Sequence, residues 1–471
     1  MDKSWISKLQ NTNEFKIGFS RFLLDFSVKN SVVGFIKTGD VLCPDLISDL
    51  PESIIESILI KLPIRDALKT SILSSKWKHK WSSITQLVFD EKCVPICYGR
   101  QGLQESVVKF ISRVLFLHQG PVHKFEITHL FLQSCPEIDQ WILFLSRKDI
   151  KDLTLELGLD EFFRMPSCLF TCQKLTRLKL SCCELYLPHS FKGFSCLSSL
   201  SFNRVFSPPK AIEKLISSCP RLENFSLICC DCLALTIRAP KLKYLYLKGE
   251  FKDIFLVDTP LLVELSVYMY MTHDLAEHVK PSSNCNFVKL LGSVPNLERL
   301  DSFMDFTKYL SIDIHDLRHL AIMFNNLERI QMGPVNFNDM KERRAVLRLI
   351  TSSPNLKKLC ISGSLDTAAS TSVEDLDFWK TECTSDFVLS KLKFVNLEDI
   401  SGVLHEIEFI KFLLGCSPFL ETMIIIPSIL DKECQLKMLI ELMKFPRASS
   451  KAGIDFIRRN YPMILCPSSI C

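Results

Sequence analysis

No stretch of this 471-residue chain stays apolar over the roughly 20 residues that a membrane-spanning helix needs. The best apolar runs, such as Leu420–Leu430, are short and hold a proline. A secretory signal is not read either. The first forty residues are interrupted by Lys16, Arg21, Asp25, Lys29 and Lys37, and no small-residue cleavage site follows an unbroken apolar core. Glycine is scarce, at 15 residues, and the patterns G-x-x-x-x-G-K-[ST], G-x-S-x-G and H-E-x-x-H do not occur. Phosphate-cradling loops, nucleophile elbows and zinc-peptidase helices are thereby excluded as readings. Long runs of one charge are missing too. With Lys+Arg at 57 and Asp+Glu at 53, the net charge of +4 gives no pull toward nucleic acid or an anionic membrane.

Cysteine is plentiful, at 20 residues, yet has no regular framework. Cys182, Cys183, Cys229 and Cys230 lie on apolar, strand-like segments, where cysteine acts as a small buried hydrophobe. That usage suits a reducing compartment, the cytosol or the nucleus. Neither of two groups with metal-ligating side chains has the full ligand spacing of a metal site. Cys229, Cys230 and Cys232 have no partner pair at zinc spacing. His315 and His319, four apart, fit a strand phrase as well as a helix face, and no cysteine pair completes their set. No metal, cofactor or nucleophile–base–orienter set is expected.

What is present begins at Asp45: DLISDLPESIIESILIKLPIRDALKTSILSSKWKHKW. Pro51 suits a first helical position. Ile54, Ile55, Ile58, Leu59 and Leu62 then form one wide apolar face. Pro63 ends that helix. Asp66 is placed to cap a second helix through Leu68 and Ile72, and Ser74 or Ser75 a third carrying Trp77 and Trp81. Three short helices cannot bury so much apolar side chain among themselves. The surplus packs on the rest of the chain or on a partner.

The stretch closely resembles an F-box: Leu-Pro, Ile-Leu, Leu-Pro, a short linker, then Ser-Lys-x-Trp and a second Trp. The resemblance implies docking on a small Skp-type adaptor and, through it, a cullin. Its contact set would be Leu50, Pro51, Ile54, Ile58, Leu59, Leu62, Pro63 and Trp77.

From there the chain repeats. LxxLxL phrases or conservative variants begin at Leu175, Leu197, Leu222, Leu242, Leu262, Leu297, Leu317, Leu356, Leu392 and Leu420, with fainter ones at Val122 and Ile150. The intervals from Leu175 to Leu262 match leucine-rich repeats, at about 20–29 residues. Each unit reads as a short strand facing inward on alternate residues, and stacking buries the edge that one repeat leaves open. Connecting phrases such as KLISSCPRL, LRLITSSPNL and KFLLGCSPFL read as helices stopped by proline. TAASTSVEDLD, from Thr367, reads as an exposed loop.

The segment ECTSDFVLSKLKFVNLEDISGVLHEIEFIKFLLGCSPFLETMIII, with KMLIELMKFPRASSKAGIDF after it, resembles an FBD region. The order as a whole is similar to the plant F-box/FBD/LRR-repeat family. The expected fold is α/β. Residues 1–44 form a poorly ordered extension, 45–92 a three-helix F-box, and 115–365 one curved leucine-rich-repeat solenoid. An FBD region at 380–460 continues that solenoid.

In LxxLxL strands the residues between the leucines point to the concave face. The expected target-binding cluster is Tyr244, Tyr246 and Tyr268, flanked by Arg177, Lys179 and Lys248, because tyrosine and arginine are enriched at interface hot spots. The family resemblance implies the substrate-recognition subunit of an SCF-type ubiquitin ligase, itself without catalysis. A non-ubiquitin repeat scaffold is the alternative.

Overall fold

The computed structural model describes residues 50–72, 76–93, 100–130, 135–157, 162–229, 234–251, 253–270, 287–312, 323–364, 378–379, 387–428 and 432–457. The expected extension 1–44, the caps Ser74 and Ser75, the histidine pair, the phrase at Leu317, Cys230, Cys232 and the loop at Thr367 lie outside them. The chain divides into two compact units, at residues 1–160 and 161–471. The divide does not fall between the F-box and the first repeats.

In the first unit, helix α1 (Glu52–Lys61) starts after Pro51, which is its N-cap, and stops at Leu62 before Pro63. Helix α2 (Ile64–Lys69) follows at once. Its N-cap is Pro63, and Asp66 lies inside the first turn, paired with Lys69 at 2.8 Å. The capping role expected of Asp66 is corrected: the chain leaves α1 so tightly that Pro63 itself begins the next helix. The expected third helix is also corrected. Among the described residues its place holds a turn at Lys76–His79 and one 3-10 turn, Lys80–Ser83. Trp77 and Trp81 are buried all the same, at 1% and 6% exposure.

Strand β1 (Gln86–Phe89) follows. It pairs in parallel with β2 (Lys124–Leu130), and β2 with β3 (Asp152–Leu157). Helices α3 (Arg100–Leu117) and α4 (Ile138–Ser146) supply the crossovers. Leu87, Phe89, Phe125, Ile127, Leu153 and Leu155 are fully buried. His118, just past α3, sits with Nε2 2.8 Å from the Ile84 carbonyl, and burial pushes its pKa down.

The second unit is a parallel ladder. The two-residue β4 (Phe163–Arg164) pairs with β5 (Arg177–Glu184). The ladder then runs through β6 (Ser199–Phe206) and β7 (Asn224–Ile228). It passes to β9 (Tyr244–Gly249), β11 (Glu264–Met269), β12 (Arg299–Met304) and β13 (Arg329–Val335). It ends through β14 (Lys358–Gly363), β15 (Phe394–Ile400), β16 (Thr422–Pro427) and β17 (Gly453–Phe456). Leu178, Leu200, Phe225, Leu245, Leu265, Leu300, Ile330, Leu359, Val395 and Met423 occupy equivalent positions in it. All ten are at most 1% exposed. Each is worth about 1.5–3 kcal/mol of burial.

Helices back this ladder where the connections are long. Among the described residues they are α5 (Pro209–Ser217), α6 (Phe287–Gly292), α7 (Phe306–Ile312), α8 (Met340–Thr351), α9 (Leu404–Cys416) and α10 (Lys432–Met443). Where connections are short, a strand replaces the helix: β8 (Ala234–Arg238) and β10 (Asp253–Val257) pair with each other, and α5 packs on β8.

A kink recurs at one position of the repeat, late in a strand or just past it. Cys182, Arg204, Cys229, Met304 and Asp399, each five residues after the first of its strand, have φ between 49° and 66°. That left-handed backbone costs on the order of 1–2 kcal/mol for a non-glycine residue, and the packed stack on either side holds it in place.

Two buried acids tie loops to helices. Glu342 of α8 accepts from the Thr307 hydroxyl at 2.8 Å and the Asn336 N–H at 3.1 Å. Glu406 of α9 accepts from the Ser401 hydroxyl at 2.9 Å and the Gly402 and Val403 N–H groups at 2.7 and 3.2 Å. Burial raises both carboxyl pKa values above the ordinary 4.5, against the lowering effect of those hydrogen bonds. As pH rises from about 4.5, the unfolded chain releases these protons first, so the folded state loses stability across that window. The melting temperature of the wild type should therefore fall more between about pH 4.5 and 7 than that of a Glu342→Gln/Glu406→Gln variant. An equal or steeper fall in the variant would remove these two groups as the cause.

Candidate protein-interaction surfaces

Helix α1 presents its apolar face unevenly. Ile55, Ile58 and Leu59 are buried at 3%, 7% and 1%, because α2 and the turn carrying Trp81 cover the C-terminal part of the face. The first turn is not covered in this way: Ile54 is 45% exposed and Pro51 is exposed. Leu50, Leu62 and Pro63 are half-buried. The eight residues expected to touch an adaptor thus divide. Leu50, Pro51, Ile54, Leu62 and Pro63 reach the surface. Ile58, Leu59 and Trp77 are buried in the chain by itself. Two polar links steady the arrangement, an ion pair between Lys80 and Glu52 and a 2.9 Å bond from the Thr85 hydroxyl to Glu56. An exposed ion pair of this kind adds about 1 kcal/mol or less.

The second surface is the side of the ladder opposite the leucines. Arg177, Ser199, Asn224, Tyr244 and Glu264 share one lateral row. Lys179, Ser201, Ser226, Tyr246 and Ser266 share the next. Lys248 lies opposite Tyr268 in a third. The six expected residues are all on this face, but they are not one cluster. Arg177 and Lys179 are on β5, with β6 and β7 between them and Tyr246, a separation of about 14 Å at the usual strand spacing. Lys248 is the cation that adjoins the tyrosines.

The aromatic group extends the other way. Tyr246 and Tyr268 have ring centroids 5.2 Å apart, and Phe303 of β12 stacks on Tyr268 at 4.6 Å. Phe303 was not foreseen, although LERLDSF places it at the repeat position of Lys248 and Tyr268. Burial, reinforced by Tyr268 and Tyr270, pushes the Tyr246 phenol up to about 12, so it stays protonated at neutral pH. Asp301, one row back on β12, is also raised by burial, with Arg329 opposing. Burial raises the Cys360 thiol likewise, which removes thiolate character.

Among the described residues no three His, Cys, Asp or Glu side chains gather to hold a metal ion. No described helix is long and apolar enough to cross a membrane.

Family models match three successive stretches of the chain. An F-box domain model matches residues 47–86. The model of the leucine-rich repeats of the FBD-associated F-box protein At5g56370 matches 138–361, and an FBD model matches 383–425. The F-box/FBD/LRR-repeat protein At1g13570 of Arabidopsis thaliana is 50% identical over 415 residues, covering 88% of this chain and 99% of that protein. The F-box/FBD/LRR-repeat protein At5g56420 of the same plant is 26% identical over 441 residues, 88% of this chain and 99% of its own length. The FBD-associated F-box protein At1g66310 is 26% identical over 460 residues, with 87% and 95% covered. With α1 and α2 inside the F-box match, a parallel LxxLxL ladder later in the chain and half of the aligned residues shared with a relative covered over 99% of its length, the chain belongs to the F-box/FBD/LRR-repeat family.

Proposed function

We propose that this chain is the target-recognition subunit of a cullin-type (SCF) ubiquitin ligase, working in the cytosol or nucleus. The observation that carries the reading is the pairing, in one chain, of an F-box match with an apolar exposed rim and a repeat ladder with an open face. The rim of Leu50, Pro51 and Ile54 docks a Skp-type adaptor, and through it a cullin. The open face holds a target protein. The chain makes and breaks no bonds itself. It raises the effective concentration of target lysines near the charged ubiquitin carrier, as tethering does.

The test is reconstitution of the full chain with a plant Skp-type adaptor, a cullin and its ubiquitin carriers, followed by capture of modified proteins from extract. Ubiquitin transfer should depend on the F-box. Tyr246→Ala should leave adaptor binding unchanged and cut target capture at least several-fold, as hot-spot truncation does. Transfer that ignores loss of the F-box would return the chain to a non-ubiquitin scaffold. Loss of adaptor binding by folded Tyr246→Ala would overturn the division of labour.

A further inference from the structure

The open face carries an arrangement that works against folding. Arg299, Arg329 and Lys358 are direct lateral partners on β12, β13 and β14. Neighbouring strands lie about 4.8 Å apart, and like charges placed opposite one another destabilise a sheet. Their compensation is loose. Arg299 meets Glu264 at 3.4 Å, and Arg329 meets Asp301 at 3.9 Å while donating to Gln331 at 2.6 Å. Lys358 is exposed and ion-pairs with no carboxylate among the described residues.

One position before this row, at the edge of the ladder, three opposite-charge pairs form between neighbouring repeats among the described residues. They join Lys243 with Glu223 at 3.1 Å, Lys357 with Glu328 at 2.5 Å, and Lys393 with Glu421 at 3.0 Å. The open face instead sets three cations in line. Four residues further along β12 stands Phe303, stacked on Tyr268 beside Tyr246. The cations on β12–β14 and the aromatic side chains on β9, β11 and β12 share this face and meet on β12, where Asp301, held by Arg329, stands between Arg299 and Phe303.

We propose that this part of the face receives an acidic segment of the target protein. Its carboxylates lie along Arg299, Arg329 and Lys358, and an apolar side chain rests on Tyr268 and Phe303. The proposal rests on the receptor reading above and names the chemistry of the target. Arginine offers paired donors to a carboxylate, and an anionic partner relieves the repulsion that the free sheet carries.

The test is selection of displayed short random peptides on the full chain bound to its Skp-type adaptor. The selected sequences are then measured by fluorescence anisotropy against variants. Selected peptides should carry net negative charge and an apolar residue, and should bind more weakly as salt is added. Lys358→Gln should weaken them several-fold and Lys358→Glu about tenfold or more, the loss of a charge-assisted contact. Because it removes a repelling charge, Lys358→Gln should melt at the same or a higher temperature than the wild type, which separates lost binding from lost fold.

Selected peptides that are neutral or basic, or acidic peptides indifferent to Lys358, would overturn the proposal. If such peptides still lose binding with Tyr246→Ala, the open face remains a receptor surface and only its acidic preference falls. Peptides insensitive to both variants would overturn both readings.

Discussion

A Leu50→Ala/Ile54→Ala variant is expected to lose Skp-type adaptor binding by about 2–5 kcal/mol, which is tens- to thousands-fold in Kd. The argument is one of exposure. Ile54 offers its branched side chain to solvent at 45% exposure, at the start of a helix in which Ile55, Ile58 and Leu59 are buried. No described residue covers that surface fully, so truncating it removes contact area from a partner and little from the fold. Leu59→Ala supplies the contrast. Leu59 is 1% exposed, and truncating such a leucine costs about 2–5 kcal/mol of stability. Its adaptor binding should fail only together with the cooperative melting of the first unit. Affinity capture of the purified adaptor, with thermal melting of each variant, distinguishes the two. A well-folded Leu50→Ala/Ile54→Ala protein that still binds at wild-type strength would mean that the rim is not the docking surface.

Glu406→Ala is expected to destabilise the second unit by on the order of 2–6 kcal/mol. Glu406 is 2% exposed and receives the backbone N–H groups of Gly402 and Val403 through one carboxylate oxygen. Removing it leaves two donors in the loop between β15 and α9 without their acceptor, at about 1–3 kcal/mol each. It also takes the 2.9 Å partner from the Ser401 hydroxyl. Glu406→Gln keeps an acceptor oxygen and should cost markedly less. Denaturant unfolding of the two variants checks the ranking. Equal losses would show that carboxylate charge, not the acceptor, holds the loop.

The repeat strands were legible because their signal is local. An LxxLxL phrase fixes which side chains face inward whatever surrounds it, and β5, β6, β7, β9, β11 and β14 lie where the phrases place them. β13 was missed because Ile330 and Met332 stand where leucines mark the other copies, although LERIQM keeps the spacing. The side ladder of β8 and β10 was not legible, because a helix or a strand can fill the back of a repeat and connection length decides. In the F-box, the run of isoleucines and leucines shows that a face is apolar. It does not show which part of that face the chain covers itself, and Ile58 and Leu59 were therefore grouped with Ile54.

The sequence alone thus determined the family, the order of F-box, repeats and FBD region, and the inward register of the strands. These follow from short-range patterns: proline placement, the spacing of apolar residues and the recurrence of one phrase. Tertiary structure decided which apolar side chains remain exposed on α1, that two strands stand between Arg177 and Lys179 and the nearest tyrosines, and that Phe303 completes the aromatic group. It also decided that Arg299, Arg329 and Lys358 fall in one line. Lateral register joins residues that lie some thirty positions apart in the chain, and it depends on how every intervening connection packs. No local pattern carries that information.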